Sequence, residues 1–274
     1  MLPHGSDRRS AEVSKGHEPQ PVDRQFSTSL ARGMQVLRAF TIEKPLLGNR
    51  EICDRTGLPK ATVSRLTYTL TLLGYLAPVR GMQKYRLASG VLSLGYPFLA
   101  SQTVRQAVRP IMARLAQQAG CTVNLGMQDK TRVVFVETCR FDESNSYRPD
   151  IGSDRPALAT SVGRALLLAN DAVEQEAILN RMRLEDPAEF ERLLPIWRAD
   201  RRHFARHGYC RSRGDWKKEI HGIAVPVKRP LGEERIALNC TVTRAEAEKG
   251  CLENKVAPLL LSAVSEIERM TGLA

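Results

Sequence analysis

Between Asn49 and Gly74 glycine and proline leave the backbone few options. The segment Arg50 to Thr56 is short and helix-forming, with Asn49 placed to cap it, and Gly57 supplies the residue that most readily ends a helix in the left-handed region. Pro59 sits where the first position of a new helix tolerates a missing N–H, and an apolar-periodic stretch then runs to Leu73 before Gly74 stops it. Two short helices joined by Thr56-Gly57-Leu58-Pro59 form a helix-turn-helix pattern. A further helix of roughly 12 residues precedes them, with Leu30, Met34 and Leu37 at helical spacing and Val36 and Phe40 beside them.

At 100° per residue, Val63, Leu66, Leu70 and Leu73 of the third helix share a face, which reads as its core stripe. The opposite face carries Ala61, Ser64, Arg65 and Tyr68, flanked by Lys60 and Thr62. These residue types suit a duplex. Ala61 permits close approach, Arg65 has the fork that matches O6 and N7 of guanine, and Lys60 and the hydroxyls lie near a helix N-terminus where phosphates are favoured. After Gly74, the runs Tyr75–Val79 and Tyr85–Leu87 flank Arg80-Gly81-Met82-Gln83-Lys84 and read as a two-stranded wing whose basic groups are Arg80, Lys84 and Arg86.

Charge follows the same division. Residues 29–88 hold ten basic groups against three acidic, a net +7 out of the chain's formal +11. Such concentration in 60 residues is the electrostatic footprint of a small nucleic-acid-binding module. Residues 1–28 hold four basic and four acidic groups with little apolar content, and are expected to be a disordered tail. That start also lacks the apolar core of a signal peptide, and no run approaches the roughly 18–20 apolar residues of a membrane span. The six scattered cysteines contain no CxxC. Most read as small core residues in a reducing compartment, so a cytoplasmic protein with no membrane partner is expected.

The runs SLARGMQVLRAF (Ser29–Phe40), REICDRTGLPKATVSRLTYTLTLLGYL (Arg50–Leu76) and YRLASGVLSLG (Tyr85–Gly95) resemble the isocitrate-lyase-regulator (IclR) family of bacterial transcription factors. The resemblance continues in order through ARLAQQAGCTVNLGM (from Ala113), RPALATSVGRALL (from Arg155), ARHGYCRSRGDWKKEIHGIAVPV (from Ala205) and RIALNCTV (from Arg235), covering residues 29–272. It implies a winged helix-turn-helix over 29–88, a linker helix over 89–101 that couples the domains and helps them dimerise, and a GAF-like effector domain over 102–274. It also implies promoter DNA as a partner, a homodimer or tetramer placing two recognition helices on a pseudo-palindromic site, and repression or activation as the outcome.

The second half independently reads as α+β. A helix is expected over Thr103–Gln118 and strands over Thr122–Met127 and Arg132–Thr138 around the turn 128–131. Helices follow over Ser161–Ala169 and Ala188–His207, then strands over Ile223–Lys228 and Arg235–Val242, and a mostly helical stretch over Arg244–Met270. Few βαβ alternations occur, which indicates an α+β sheet domain, and the resemblance sharpens this to a GAF-like domain with an antiparallel sheet. In the family resembled, a small organic acid or aromatic compound sits between this sheet and the loop leading into the helix containing Gly163. That position implies Ser161 and Val162 at the helix start, Ser212 and Gly222 around CRSRGDWKKEIHG, and Asn239 and Thr241 on the last strand. Asn239 and Thr241 alternate with Leu238 and Cys240 and so share a face, while a helix start offers free N–H groups to a carboxylate. Arg211 and Arg213 would also share a face and hint at an anionic ligand.

Other readings compete with this one. His203 and His207 lie one turn apart, with Cys210 and His221 nearby, which is a possible metal set, although no metal or other cofactor is expected. Cys210 beside a histidine is a conceivable thiolate pair. The chain contains no GxSxG, P-loop, HExxH or GxGxxG, and catalysis is not expected. A ligand-independent architectural DNA-binding protein is the remaining alternative, disfavoured by the size of the second domain.

Overall fold

The computed structural model describes residues 25–142, 150–228 and 235–271. The tail expected over 1–28 lies outside them apart from 25–28. The chain divides into two compact units, the first ending at Tyr96 and the second beginning at Pro97.

In the first unit, α1 (Thr28–Arg38), α2 (Asn49–Thr56) and α3 (Lys60–Leu72) are followed by strands β1 (Leu76–Pro78) and β2 (Tyr85–Leu87), paired antiparallel. Val36, Leu37, Phe40, Leu47, Ile52, Val63, Leu70 and Leu76 form its core. Gly57 ends α2 at φ 70°, a conformation that costs glycine little. Three details depart from expectation. Asn49 is the first residue of α2 and not its cap. Gly48 precedes it, and the Gly48 N–H donates to Glu51 Oε2 at 2.7 Å. Leu73 is exposed, because the chain leaves the helix there and turns at Gly74. Its place in the core stripe goes to Thr67, fully buried, whose hydroxyl lies 3.0 Å from Val63 O and 3.2 Å from Asn49 Oδ1. A threonine can enter the core when its one polar group is satisfied by the preceding turn.

Helix α4 (Ser89–Ser101) carries the chain from the first unit into the second. There α5 (Thr103–Ala119), β3 (Thr122–Asp129), β4 (Arg132–Cys139) and β5 (Asp154–Pro156) are followed by α6 (Ser161–Leu168), α7 (Ala172–Glu185) and α8 (Pro187–His207). Strands β6 (Cys210–Arg213), β7 (Ile220–Pro226) and β8 (Ile236–Thr243) complete a six-stranded sheet in the order β5-β4-β3-β8-β7-β6, antiparallel throughout. The stretch expected to be mostly helix resolves into α9 (Arg244–Glu248), a π-helical turn (Leu252–Val256) and α10 (Ala257–Thr271).

Alternation along the strands builds two cores. Val123, Leu125 and Met127 of β3 and Ile236, Leu238 and Cys240 of β8 pack under α5 and α10. Val133 and Phe135 of β4, Ala224 of β7 and Ala237 of β8 pack under α6 and α8, with Leu166, Leu193 and Trp197. Asn124, Asn239 and Thr241 interrupt this second face with polar groups, where α6 begins.

Candidate functional site

On α3 the expected recognition face is open. Lys60, Ala61, Ser64, Arg65 and Tyr68 are exposed and Thr62 is half-buried. In the wing, Arg80 and Arg86 are exposed. Among the described residues no ion pair engages Lys60, Arg65, Arg80 or Arg86, so four cations of this unit face solvent uncompensated. Lys84 differs. Its Nζ lies 3.0 Å from Glu51 Oε1, and this contact, after the bond from Gly48, helps hold the Glu51 carboxyl below its ordinary range. The lysine therefore ties the wing to the start of α2 while staying half exposed.

In the second unit all six residues expected from Ser161 to Thr241 line one cavity. Ser161 and Val162 enter from the first turn of α6, Ser212 from β6, Gly222 from β7, and Asn239 and Thr241 from β8. Register brings the last four together, since Ser212 pairs with Gly222, Gly222 with Thr241, and Asn239 lies two residues along. Gly222 is needed for this. A Cβ there would stand 2.9 Å from Cys240 O and 3.4 Å from Ser161 Oγ. Thr160 caps α6 by accepting from the Gly163 N–H at 3.3 Å, and among the described residues no hydrogen bond engages the N–H groups of Ser161 and Val162, both of which line the cavity. Asn239 accepts from Asn124 Nδ2 at 3.1 Å, and Asn124 Oδ1 accepts from Thr138 at 3.1 Å, a polar rung across three strands. Among the described residues no hydrogen bond engages the amide N–H groups of Asn239.

Phe135, Arg155, Trp216 and His221, which were not expected, also line this cavity. The guanidinium of Arg155 sits 4.6 Å from the Trp216 ring centre and 5.7 Å from that of Phe135. Arg211 and Arg213 do share a strand face, but Ser212, which alternates with them, is the one at the cavity. Arg213 instead pairs with Glu253 at 2.9 Å. The cation at the cavity is thus Arg155, from an edge strand too short to carry a periodic signal.

Behind the cavity Arg164 is fully buried on α6. Its Nε lies 2.8 Å from Asp200 Oδ2, out of line for a hydrogen bond, and its Nη2 lies 2.8 Å from Asp215 Oδ2. It also donates to the carbonyls of Leu158 and Arg211. Asp200 accepts in turn from the Arg211 N–H at 3.0 Å. Burial raises the Asp200 carboxyl above its ordinary range despite the adjacent guanidinium. One residue thereby fastens α6, α8, β6 and the loop carrying Trp216.

The residues of the metal reading do not converge. The rings of His203 and His207 stack at 4.3 Å, Cys210 is buried on the α6 side of the sheet, and His221 is at the cavity. Among the described residues no three His, Cys, Asp or Glu side chains are placed to hold a metal ion. Burial and the nearby Asp200 push the Cys210 thiol well up, the reverse of what a nucleophile needs.

With this geometry in view, the chain matches known proteins along most of its length. Residues 29–80 match the IclR helix-turn-helix domain, and residues 97–269 match the C-terminal domain of bacterial transcriptional regulators of the IclR type. The chain belongs to the IclR family, whose members join a DNA-binding helix-turn-helix to a C-terminal effector domain. It is 35% identical to the HTH-type transcriptional regulator TsaQ1/TsaQ2 of Comamonas testosteroni over 207 residues, 74% of this chain and 73% of that one. Its fold is similar to the crystal structure of an IclR-family regulator from Brucella abortus, with a TM-score of 0.79, 36% identity and coverage of 90% of this chain and 94% of that one. An IclR homolog from Microbacterium hydrocarbonoxydans, solved in complex with 4-hydroxybenzoate, shares the fold at a TM-score of 0.66 and 23% identity, over 90% of this chain and all of that one. These relatives are transcriptional regulators, and among the described residues no helix is long and apolar enough to cross a membrane.

Proposed function

We propose that this regulator binds a pseudo-palindromic operator through two copies of its winged helix and responds to an aromatic or related organic acid held in the cavity of its second unit. The observation that carries the reading is the convergence of Ser161, Val162, Ser212, Gly222, Asn239 and Thr241 on one cavity, at the orphan amides of a helix start. Helix-start amides, hydroxyls and an asparagine amide suit a carboxylate, and Phe135 and Trp216 suit a ring. The 4-hydroxybenzoate bound to the Microbacterium homolog is a ligand of that chemistry. In the DNA-binding region (29–88), Arg65, Ser64 and Tyr68 read or position bases, Lys60 and Thr62 hold phosphates, and Arg80, Lys84 and Arg86 grip backbone or minor groove. The linker over 89–101 passes the effector signal from the domain over 102–274. The protein acts in the cytoplasm and without catalysis.

A gel-shift titration on DNA flanking the gene, with competitor DNA near physiological salt, tests the reading. Tight binding should weaken by about 1–3 kcal/mol and lose site preference in Arg65→Ala. 4-Hydroxybenzoate should shift the wild-type affinity but not that of Asn239→Ala, whose folding is checked by a melt because Asn124 loses its partner. Binding indifferent to Arg65 and to every organic acid tried would overturn the proposal.

A further inference from the structure

The cavity encloses about 30 Å³, while ligand pockets typically offer roughly 300–1,000 Å³, so part of its lining must shift to admit a ring. One lining strand is placed to pass such a shift on. In β4, Phe135 lies opposite Gly126 and Glu137 opposite Leu125, so Val136 is an extra residue, a β-bulge. The bulge turns Phe135 and Glu137, two residues apart, to opposite faces of the sheet. Phe135 lines the cavity and Glu137 meets α5. A continuous run of hydrogen bonds joins the two faces. Asn239 at the cavity accepts from Asn124, Asn124 accepts from Thr138, and the Thr138 N–H donates to Glu137 Oε1 at 3.1 Å. Glu137, buried at 2% exposure, accepts from Arg109 Nη1 at 2.6 Å and from Arg105 Nε at 2.9 Å. Arg105 reaches further. Its Nη1 donates at 3.3 Å to the carbonyl of Leu99 in the last turn of α4, an acceptor it shares with the Gln102 N–H. The Leu99 side chain packs on the core under α5.

Resting on the effector reading above, we infer that Arg105 is the positioning residue through which occupancy of the cavity reaches the linker helix. One planar guanidinium spans a carboxylate on the sheet and a carbonyl of the linker, so it holds both only while they keep their present separation. The two bonds are unequal. That to Glu137 is charge-assisted and shorter, whereas that to Leu99 O is longer and goes to a neutral, shared acceptor. A ring entering beside Phe135 and Asn239 displaces β4 at its bulge, where the ladder to β3 is already interrupted, and carries Glu137 along. Arg105 follows the stronger partner and lets go of the weaker. The effector-bound state therefore differs from the empty one by a released last turn of α4. Arg109 shares Glu137, but among the described residues its side chain bonds no atom of α4, so it takes no part in the release.

Calorimetric titration of the full chain with 4-hydroxybenzoate, and affinity for the DNA flanking the gene with and without it, test the inference. In the wild type, saturating effector should change DNA affinity by about fivefold or more. In Arg105→Gln the linker turn is free from the start. Its DNA affinity without effector should match that of the saturated wild type to within about twofold, and effector should change it no further. The same variant should bind 4-hydroxybenzoate at least as tightly as the wild type, since no contact remains to be broken, whereas a damaged cavity binds it more weakly. Arg109→Gln should keep the wild-type shift. Arg109 still pairs with Glu137 in Arg105→Gln, which protects the fold. Should a melt show otherwise, Arg105→Lys carries the test, since it keeps the charge, loses the fork and should shrink the shift. Weaker effector binding by folded Arg105→Gln, a shift kept at its wild-type size, an equal loss in Arg109→Gln, or a wild type that binds effector with no shift overturns the inference and leaves the cavity reading standing. If the wild type binds neither 4-hydroxybenzoate nor any other ring-bearing acid, both fall together.

Discussion

Replacing Arg164 with methionine should be among the most damaging single changes in the second unit, and the damage should depend on pH in a defined sense. The guanidinium is wholly buried, with Asp200 and Asp215 each 2.8 Å away and their side chains 3% and 15% exposed. Arg164→Met keeps much of the aliphatic volume but leaves two carboxylates without their cation. Removing one partner of a buried pair costs about 3–5 kcal/mol, because the remaining charge stays desolvated. For a domain of this size each kcal/mol moves the melting temperature by about 2–4 °C, so a drop of about 6–20 °C is expected. Burial already raises the Asp200 carboxyl, and loss of the guanidinium raises it further. A carboxyl raised in the folded state stabilises the fold below its unfolded value and loses that contribution as pH rises through its folded value. The deficit of Arg164→Met relative to wild type should accordingly be largest near neutrality and shrink towards pH 4 to 5. Calorimetric melts of both proteins across that range decide the matter. A drop below about 3 °C at pH 7, or a deficit that grows on acidification, would refute the view that Arg164 compensates these two carboxylates.

Other changes probe different parts of the molecule. Gly222→Ala forces a Cβ to 2.9 Å from Cys240 O and into the cavity, so it should cost about 1–3 kcal/mol in a melt and abolish any effector-induced shift in DNA affinity. His203 is held at about 4, first by burial and then by Arg211, His207 and Arg213. Its neutral form stabilises the fold above the ordinary histidine value, and this contribution is lost as pH falls from 6.5 towards 4. The stability difference between wild type and His203→Phe should therefore decline over that window in denaturant titrations, and a flat difference would sink the idea. Lys84→Ala should weaken binding to all duplexes alike and flatten the salt dependence by about one unit of slope, read from affinities at several salt concentrations.

Much of the first unit was legible because its signals are local. The recognition helix is bracketed by Gly57 and Gly74, and its exposed face repeats at helical period. Thr67 was passed over and Leu73 misplaced because residue type alone does not say that a hydroxyl finds Val63 O and Asn49, or that the helix ends before Leu73 is covered. In the second unit, α7 carries a capping pair in Asp171 and Glu174, but Met182 is its one buried residue, so no apolar stripe announces it. Asn239 and Thr241 were readable from strand alternation together with the family resemblance. Arg155, Phe135 and Trp216 were not, for their meeting is set by the stacking of β5 and a loop from opposite edges of the sheet. Arg164 was hidden inside a helix that otherwise reads as core.

The Lys84–Glu51 contact also bears on how this protein searches DNA. Together with the paired Leu47–Tyr85 backbone bonds at 3.1 and 2.8 Å, it rivets the hairpin to the front of the helix-turn-helix at two points. On the proposed operator-binding reading, wing and recognition helix would then meet a duplex as one stencil, with a set distance between the groove that is read and the phosphates that are gripped. On that reading, a half-site of the wrong width would meet a hairpin tied at two points and would shift part of the adjustment onto the DNA. Stiff and pliable sequences flanking the contacted bases should thus be discriminated by this regulator even where no side chain touches them.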